Sequence, residues 1–166
     1  MNYHQAISYR DALTDFVDFK SWQNPCAMSL TFKQCIWPQP SARQMLTPID
    51  AAKNTKHFQN LLNGHLLTRV GRRNGLRIGA VIVLEYDEDT RLHCHGMIEC
   101  PDKNKLELLP YFIAKNWANT IWGYDETVTK PCTEDWLEYL LKFRTKTDYG
   151  TAMQFDLWSA PLSKQN

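Results

Sequence analysis

Two histidines, His93 and His95, are separated by one residue in the apolar segment from Leu92 to Cys100. Side chains alternate across a strand, so both imidazoles share one face if this segment is extended, and Cys94 points to the other face. Two imidazoles with a nearby carboxylate can hold a divalent metal and leave positions open for a substrate. The competing interpretation is a pair of ordinary histidines on a half-exposed strand, since this spacing alone is a weak signal.

The carboxylate that would complete the group is Glu85, in the preceding segment from Ile78 to Tyr86. This segment is rich in Val and Ile, which is typical of a buried strand. A charged turn separates the two segments, so together they predict a β-hairpin. With the turn centred on Asp89, Glu85 lies directly opposite His93, on the face shared with His95.

A tyrosine, Tyr139, lies on a predicted helix that Thr133 caps. It is at the flank of the apolar stripe, so the helix can be docked while the hydroxyl stays accessible. Lys142 follows one turn later and Lys146 about two turns later. The competing interpretation is an amphipathic tyrosine with its hydroxyl in water and two solvated lysines.

The remaining elements must position these side chains. Alternation predicts a short strand from Met28 to Phe32, ended by the proline-containing segment Trp37 to Pro40. Thr47 caps a helix that ends near Asn63 and Gly64 or somewhat beyond. A further helix and strand are predicted over Pro110 to Ile121 and Thr127 to Lys130. We therefore expect an α+β fold, with a central antiparallel sheet and helices packed against one face.

The chain has 166 residues, 43% hydrophobic and 22% charged, with a net charge of +1. These values fit one globular domain over 1–166, with a motif-bearing core at about 26–146 and a C-terminal tail or edge strand at 147–166. No apolar run is long enough to span a membrane, and no signal peptide is evident. Five cysteines without a CxxC pair indicate reduced thiols, so we expect a cytoplasmic location, or a nuclear one in a eukaryotic host.

Taken together, the motifs resemble the HUH endonuclease superfamily, metal-dependent nicking enzymes of rolling-circle replication, conjugation and some transposition. The segment Met28 to Phe32 is similar to the first motif of that superfamily, His93 to His95 to the second, and Tyr139 to Lys142 to the third. The upstream Glu85 and the single motif tyrosine resemble the single-tyrosine replication initiators (Rep proteins). The resemblance implies an RRM-like or ferredoxin-like nicking domain. Cys94 departs from the bulky apolar residue usual between the two histidines.

The resemblance also implies a mechanism. Glu85, His93 and His95 would hold Mg²⁺ or Mn²⁺, and the Tyr139 hydroxyl would attack a phosphate of single-stranded DNA. The products would be a free 3′-hydroxyl and a 5′-phosphotyrosine, which a later 3′-hydroxyl can reverse. Lys142 would neutralise phosphate charge or orient the tyrosine.

The implied partner is single-stranded DNA, as an origin or a hairpin, with a separate helicase as a further candidate partner. Basic side chains are the expected phosphate contacts. The candidates are Arg69, Arg72, Arg73 and Arg77, with Lys33 and Lys146 as weaker ones. For each of them, the competing interpretation is a solvated surface charge.

Three alternatives remain open on the sequence alone. An HUH-type transposase would use the same chemistry, which the motifs do not distinguish from replication. A non-catalytic, RRM-like module could bind single-stranded nucleic acid with the same sheet. A zinc-stabilised fold that combines the histidines with cysteines ranks last, because the cysteines lack ligand spacing.

Overall fold

A computed structural model describes residue 8 and residues 11–12, 22–87 and 90–140. In chain order the elements are β1 (Cys26–Phe32), β2 (Cys35–Gln39), β3 (Ala42–Met45), α1 (Pro48–Leu66), α2 (Arg69–Arg73), β4 (Ala80–Asp87), β5 (Thr90–Ile98), a 3₁₀ turn (Lys103–Lys105), α3 (Leu109–Ala118), β6 (Gly123–Pro131) and α4 (Glu134–Leu140). None of the described helices combines the length and apolar character that crossing a bilayer requires.

Four strands form the central sheet in the order β4-β5-β1-β6, and every neighbouring pair is antiparallel. Apart from the inserted β2–β3 hairpin, the chain alternates as β-α-β-β-α-β through β1, α1, β4, β5, α3 and β6. This sequence and strand order define the ferredoxin-like, split βαβ arrangement. The predicted α+β fold with a central antiparallel sheet is confirmed.

The main core lies between one face of the sheet and the two long helices, α1 and α3. Trp117 of α3 is fully buried, and its ring meets Phe32 of β1 edge-on at 4.8 Å and Phe58 of α1 at 5.3 Å. The Trp117 indole N–H donates to the Thr31 carbonyl at 2.9 Å. Fully burying each such large side chain contributes about 1.5–3 kcal/mol, so this face anchors both helices.

The opposite face carries a smaller apolar cluster that docks α4. Leu137 and Leu140 of α4 pack with Val81, Val83 and Met97 of β4 and β5. The prediction that the helices pack against one face holds for α1 and α3 but not for α4. The difference arises because Val81, Val83 and Met97 make the second face of the hairpin apolar beside the predicted metal ligands, and this apolar surface must be covered.

The first strand ends at Phe32, as predicted, but the proline-containing segment is not what ends it. Pro38 instead lies inside β2, which forms a separate two-stranded sheet with β3. Proline has no N–H to donate. It is tolerated in a two-stranded sheet because each strand there has one edge that pairs with no neighbouring strand. Helix α1 runs on to Leu66, because Asn63 is buried and accepts the Ile78 N–H at 2.9 Å instead of ending the helix.

Gly123 begins β6 at a point where the chain passes very close to the end of α3. A Cβ at this position would overlap the Trp117 carbonyl and come within 2.7 Å of the Thr120 hydroxyl. We predict that Gly123→Ala lowers the free energy of unfolding by about 1–3 kcal/mol, since backbone must move to admit the methyl group.

The matched control is Gly64→Ala in α1, where an added Cβ meets nothing within 4 Å. This change should raise stability by about 0.5–1 kcal/mol, because alanine loses less conformational entropy in a helix than glycine does. Urea denaturation of both variants measures the difference. Equal stability of Gly123→Ala and the unchanged protein would contradict the close approach.

Candidate active site

The β4–β5 register brings the three predicted metal ligands together. Glu85 pairs with His93, as predicted from the sequence, and Val83 pairs with His95. The Glu85 Oε2 atom lies 3.6 Å from Nε2 of His93 and 3.6 Å from Nε2 of His95. The three side chains are 15–27% exposed, so the group is half-buried with an open side.

The ligand atoms of Glu85, His93 and His95 all lie within 4.8 Å of one another. Metal–ligand bonds of about 2.0–2.2 Å place neighbouring ligand atoms on one ion roughly 3–3.5 Å apart. The two distances from Glu85 to the histidines, 3.6 Å each, are close to that spacing. The group can therefore hold one divalent cation after small side-chain adjustments.

Contacts to the other ring nitrogens set the proton positions on the imidazoles. The His93 Nδ1 lies 2.8 Å from the Arg91 carbonyl oxygen, which can only accept, so Nδ1 is the donor. The His95 Nδ1 lies 2.6 Å from the Ser29 hydroxyl oxygen, which can accept in the same way. With Ser29 as the acceptor, both Nε2 lone pairs face Glu85, the arrangement that metal ligation requires.

Ser29 is a residue of the site that the sequence motifs did not single out. It pairs with His95 across β1 and β5, so its hydroxyl is positioned by the sheet itself. The signal in the sequence is a polar face on a mostly apolar strand, where Ser29 and Thr31 alternate with apolar residues. Identifying its partner requires the β1–β5 register, which the sequence does not provide.

Helix α4 places Tyr139 beside this group. The Tyr139 ring lies 5.7 Å from the His95 ring, edge-on at 75°, and the side chain is 43% exposed. The Trp136 ring stacks on Tyr139 at 4.9 Å and 23°. Trp136 is held in turn by a 3.0 Å hydrogen bond from its indole N–H to the Gly96 carbonyl.

Trp136 lies on the apolar side of α4, a position typical of a core residue. It is only partly buried, at the edge of the smaller cluster, with the Lys130 ammonium 4.4 Å from its ring centre. The indole therefore supports the tyrosine ring from one side. Tyr139 remains open to solvent on the other side.

Cys94, between the two histidines, points to the opposite face and is completely buried there. Burial raises the pKa of its thiol well above the ordinary value, because the thiolate would be desolvated. Cys94 is therefore a neutral core side chain, as predicted, and not a ligand. All five cysteines are free thiols.

The predicted DNA-contacting arginines are not grouped with the metal ligands. Arg69, Arg72 and Arg73 lie on α2, and Arg77 follows it and donates to Asn60 of α1 at 2.9 Å. These four precede β4, whereas Glu85 lies five residues into that strand, about 17 Å from its start. The four arginines are exposed and form a separate basic surface.

Lys33 is at the same end of the sheet as His93. It follows β1, where Thr31 pairs with His93, and its ammonium donates to the Ile121 carbonyl at 3.4 Å. Lys142 and Lys146, predicted near the tyrosine, lie outside the described residues, as does the predicted tail 147–166.

Comparison with known proteins gives one result that bears on the site. The family model of the ORF2-type replication-associated proteins matches residues 25–148, a span that contains β1 to α4 and every residue of the metal-ligand group. No curated protein and no solved structure matches the chain.

We predict that Ser29→Ala weakens Mn²⁺ binding by about 10- to 100-fold, because His95 loses the partner that fixes its ring and tautomer. Isothermal titration calorimetry with MnCl₂ measures the affinity. The control is Val128→Ala, a neighbour of Ser29 across β1 and β6 that has no polar atom in its side chain. Equal Mn²⁺ affinity in both variants would show that Ser29 does not support the ligand.

Proposed function

Because the chain belongs to the family of ORF2-type replication-associated proteins, we propose that it nicks and rejoins single-stranded DNA to initiate rolling-circle replication. The observation that supports this proposal best is the tyrosine ring next to a histidine of a three-residue metal-ligand group. A plain binding module has no use for such a pairing. A nuclease that forms a covalent tyrosine intermediate needs both parts together.

Glu85, His93 and His95 would hold the cation, and we propose Mg²⁺ or Mn²⁺. One carboxylate with water and phosphate oxygens supplies the hard ligands that these ions prefer, and imidazole is a common additional ligand. The bound ion would supply Lewis-acid polarisation of the scissile phosphate. The group is half-buried, and its solvent-exposed side leaves room for a phosphate oxygen.

Tyr139 is the proposed nucleophile. Its hydroxyl oxygen attacks the phosphorus in line, the bond from phosphorus to the 3′-oxygen breaks, and the phenolic proton is lost. The 3′-oxygen leaves as a hydroxyl after it takes up a proton, and the 5′ end stays attached to Tyr139 as a phosphotyrosine. Attack by a 3′-hydroxyl on that phosphotyrosine reverses the step and joins the strands without ATP.

The surroundings of Tyr139 suit this role. Trp136 fixes one face of the ring, so less rotational freedom is lost when the phosphate arrives. In the sequence, Lys142 follows Tyr139 by three residues, and we propose that its ammonium balances charge on the phosphate. Lys33, at the His93 end of the sheet, is a further proposed phosphate contact.

We predict that the protein with Mn²⁺ and single-stranded oligonucleotides from the DNA flanking its gene forms a covalent adduct, seen as a slower band on a denaturing gel. Tyr139→Phe should form none, because phenylalanine has no nucleophilic oxygen. Glu85→Gln should slow adduct formation on the order of 10²–10³-fold, as loss of a charge-stabilising group does in other active sites.

The matched control is Tyr111→Phe on α3, a tyrosine of similar exposure on the other side of the sheet. It should form the adduct at the rate of the unchanged protein. An adduct that persists in Tyr139→Phe would assign the nucleophile elsewhere. No adduct on any oligonucleotide with folded, Mn²⁺-loaded protein would favour the non-catalytic binding module.

A further inference from the structure

Charge is distributed unevenly along this nearly neutral chain. Between Met28 and Arg77, eight residues are Lys or Arg and one, Asp50, is acidic, so this segment carries +7. Since the whole chain carries +1, the rest carries −6. The basic segment comprises the end of β1, the β2–β3 hairpin, α1 and α2. Four of the eight cations, Arg69, Arg72, Arg73 and Arg77, follow the C-terminal end of α1. The other four, Lys33, Arg43, Lys53 and Lys56, lie between the end of β1 and the first half of α1. Basic side chains clustered in this way favour binding of a polyanion.

A groove of about 710 Å³ opens within this segment, between the β2–β3 hairpin, α1 and the loop before β6. Trp37 and Ile121 line it and are 62% and 68% exposed, which is unusual for side chains of this size. Lys53 and His57, one turn apart on α1, line the groove on its polar side. Asp50 also lines it, with its carboxylate held by the Thr47 hydroxyl at 2.6 Å.

The floor of the groove is rigid. Asn54 is 5% exposed, donates to the Thr120 hydroxyl at 2.9 Å and accepts the Trp122 N–H at 3.1 Å. These bonds join α1 to the loop that carries Ile121. The groove is therefore formed before any ligand arrives, which lowers the entropic cost of binding.

Hydrogen bonds connect the residues next to the groove with the end of the sheet that carries His93. The Gln34 side chain accepts the Leu92 N–H at 3.2 Å and donates to the Leu92 carbonyl at 3.3 Å, next to His93. Lys33 bonds to the carbonyl of Ile121, which lines the groove. Lys33 and Gln34 therefore tie the His93 end of the sheet to the segments that line the groove, Ile36 to Pro38 and Ile121.

We propose that this groove binds an unpaired nucleotide of the same DNA strand, with a base stacked on Trp37 and a phosphate near Lys53. An exposed indole beside basic side chains is the combination that binds single strands without base pairing. Duplex DNA keeps its bases stacked inside, so it offers no base face to Trp37. The inference rests on the proposed function, because it extends the path of the strand that is nicked.

The test measures DNA affinity in a Tyr139→Phe background, in which no nick can form. The probe is a fluorescently labelled oligo(dT) of 20 nucleotides, followed by anisotropy at several salt concentrations. We expect Trp37→Ala to weaken binding about 5- to 150-fold, the range found for loss of one stacked base. Lys53→Gln should lower the slope of log affinity against log salt by about 0.7, one phosphate contact.

The controls are Tyr111→Ala and Lys115→Gln on α3, an exposed aromatic and an exposed lysine away from the groove. Both should bind as the background does, and circular dichroism checks that all variants are folded. Unchanged affinity in Trp37→Ala would overturn the inference. An equal loss of affinity for a 20-base-pair duplex would also overturn it, because the ligand would then not be unpaired.

The outcomes of the two proposals are separable. Affinity that depends on Trp37, together with no covalent adduct in the unchanged protein, would support the groove and refute the nicking activity. A covalent adduct, together with DNA affinity that does not depend on Trp37, would support the nicking activity and refute the groove.

Discussion

The antiparallel register between β4 and β5 is the constraint on which the site depends. It sets Glu85 opposite His93 and leaves His95 on the same face. Because side chains alternate with a period of two, a slip of one residue in one strand would turn its ligands to the opposite face. The register is protected by burial on both sides, since Leu84 and Cys94 face the main core and Val83 and Met97 face the smaller cluster.

One face of the sheet forms the main hydrophobic core, and the other positions the candidate site. One face packs against α1 and α3 and supplies most of the hydrophobic stabilisation. The other face has a smaller apolar cluster, which docks α4 through Leu137 and Leu140. The packing of α4 on this cluster places the Tyr139 ring next to His95. A short helix on this face thus joins two motifs that are 44 residues apart in the sequence.

Much of this arrangement could be predicted from the sequence, for identifiable reasons. The hairpin with Glu85 opposite His93 follows from two strongly apolar segments and a charged turn, which are local signals. The β2–β3 hairpin could not be predicted, because Pro38 argues against a strand and the short segment has no alternation. The contact of Ser29 with His95 depends on the pairing of distant strands, which no local pattern reveals. Trp136 and Tyr139 are three residues apart on one helix, so helical spacing makes them neighbours. The hydrogen bond from Trp136 to Gly96 depends on how that helix docks on the sheet, which the sequence does not provide.

The central claim is that the Tyr139 hydroxyl oxygen is the atom that links protein to DNA. The most direct test is mass spectrometry of the protein after reaction with Mn²⁺ and its DNA, followed by nuclease and trypsin digestion. We expect a nucleotide attached through phosphate to Tyr139, in the peptide that also contains Tyr124. Fragmentation distinguishes the two positions. A nucleotide on Tyr124, or on a peptide without Tyr139, would contradict the claim.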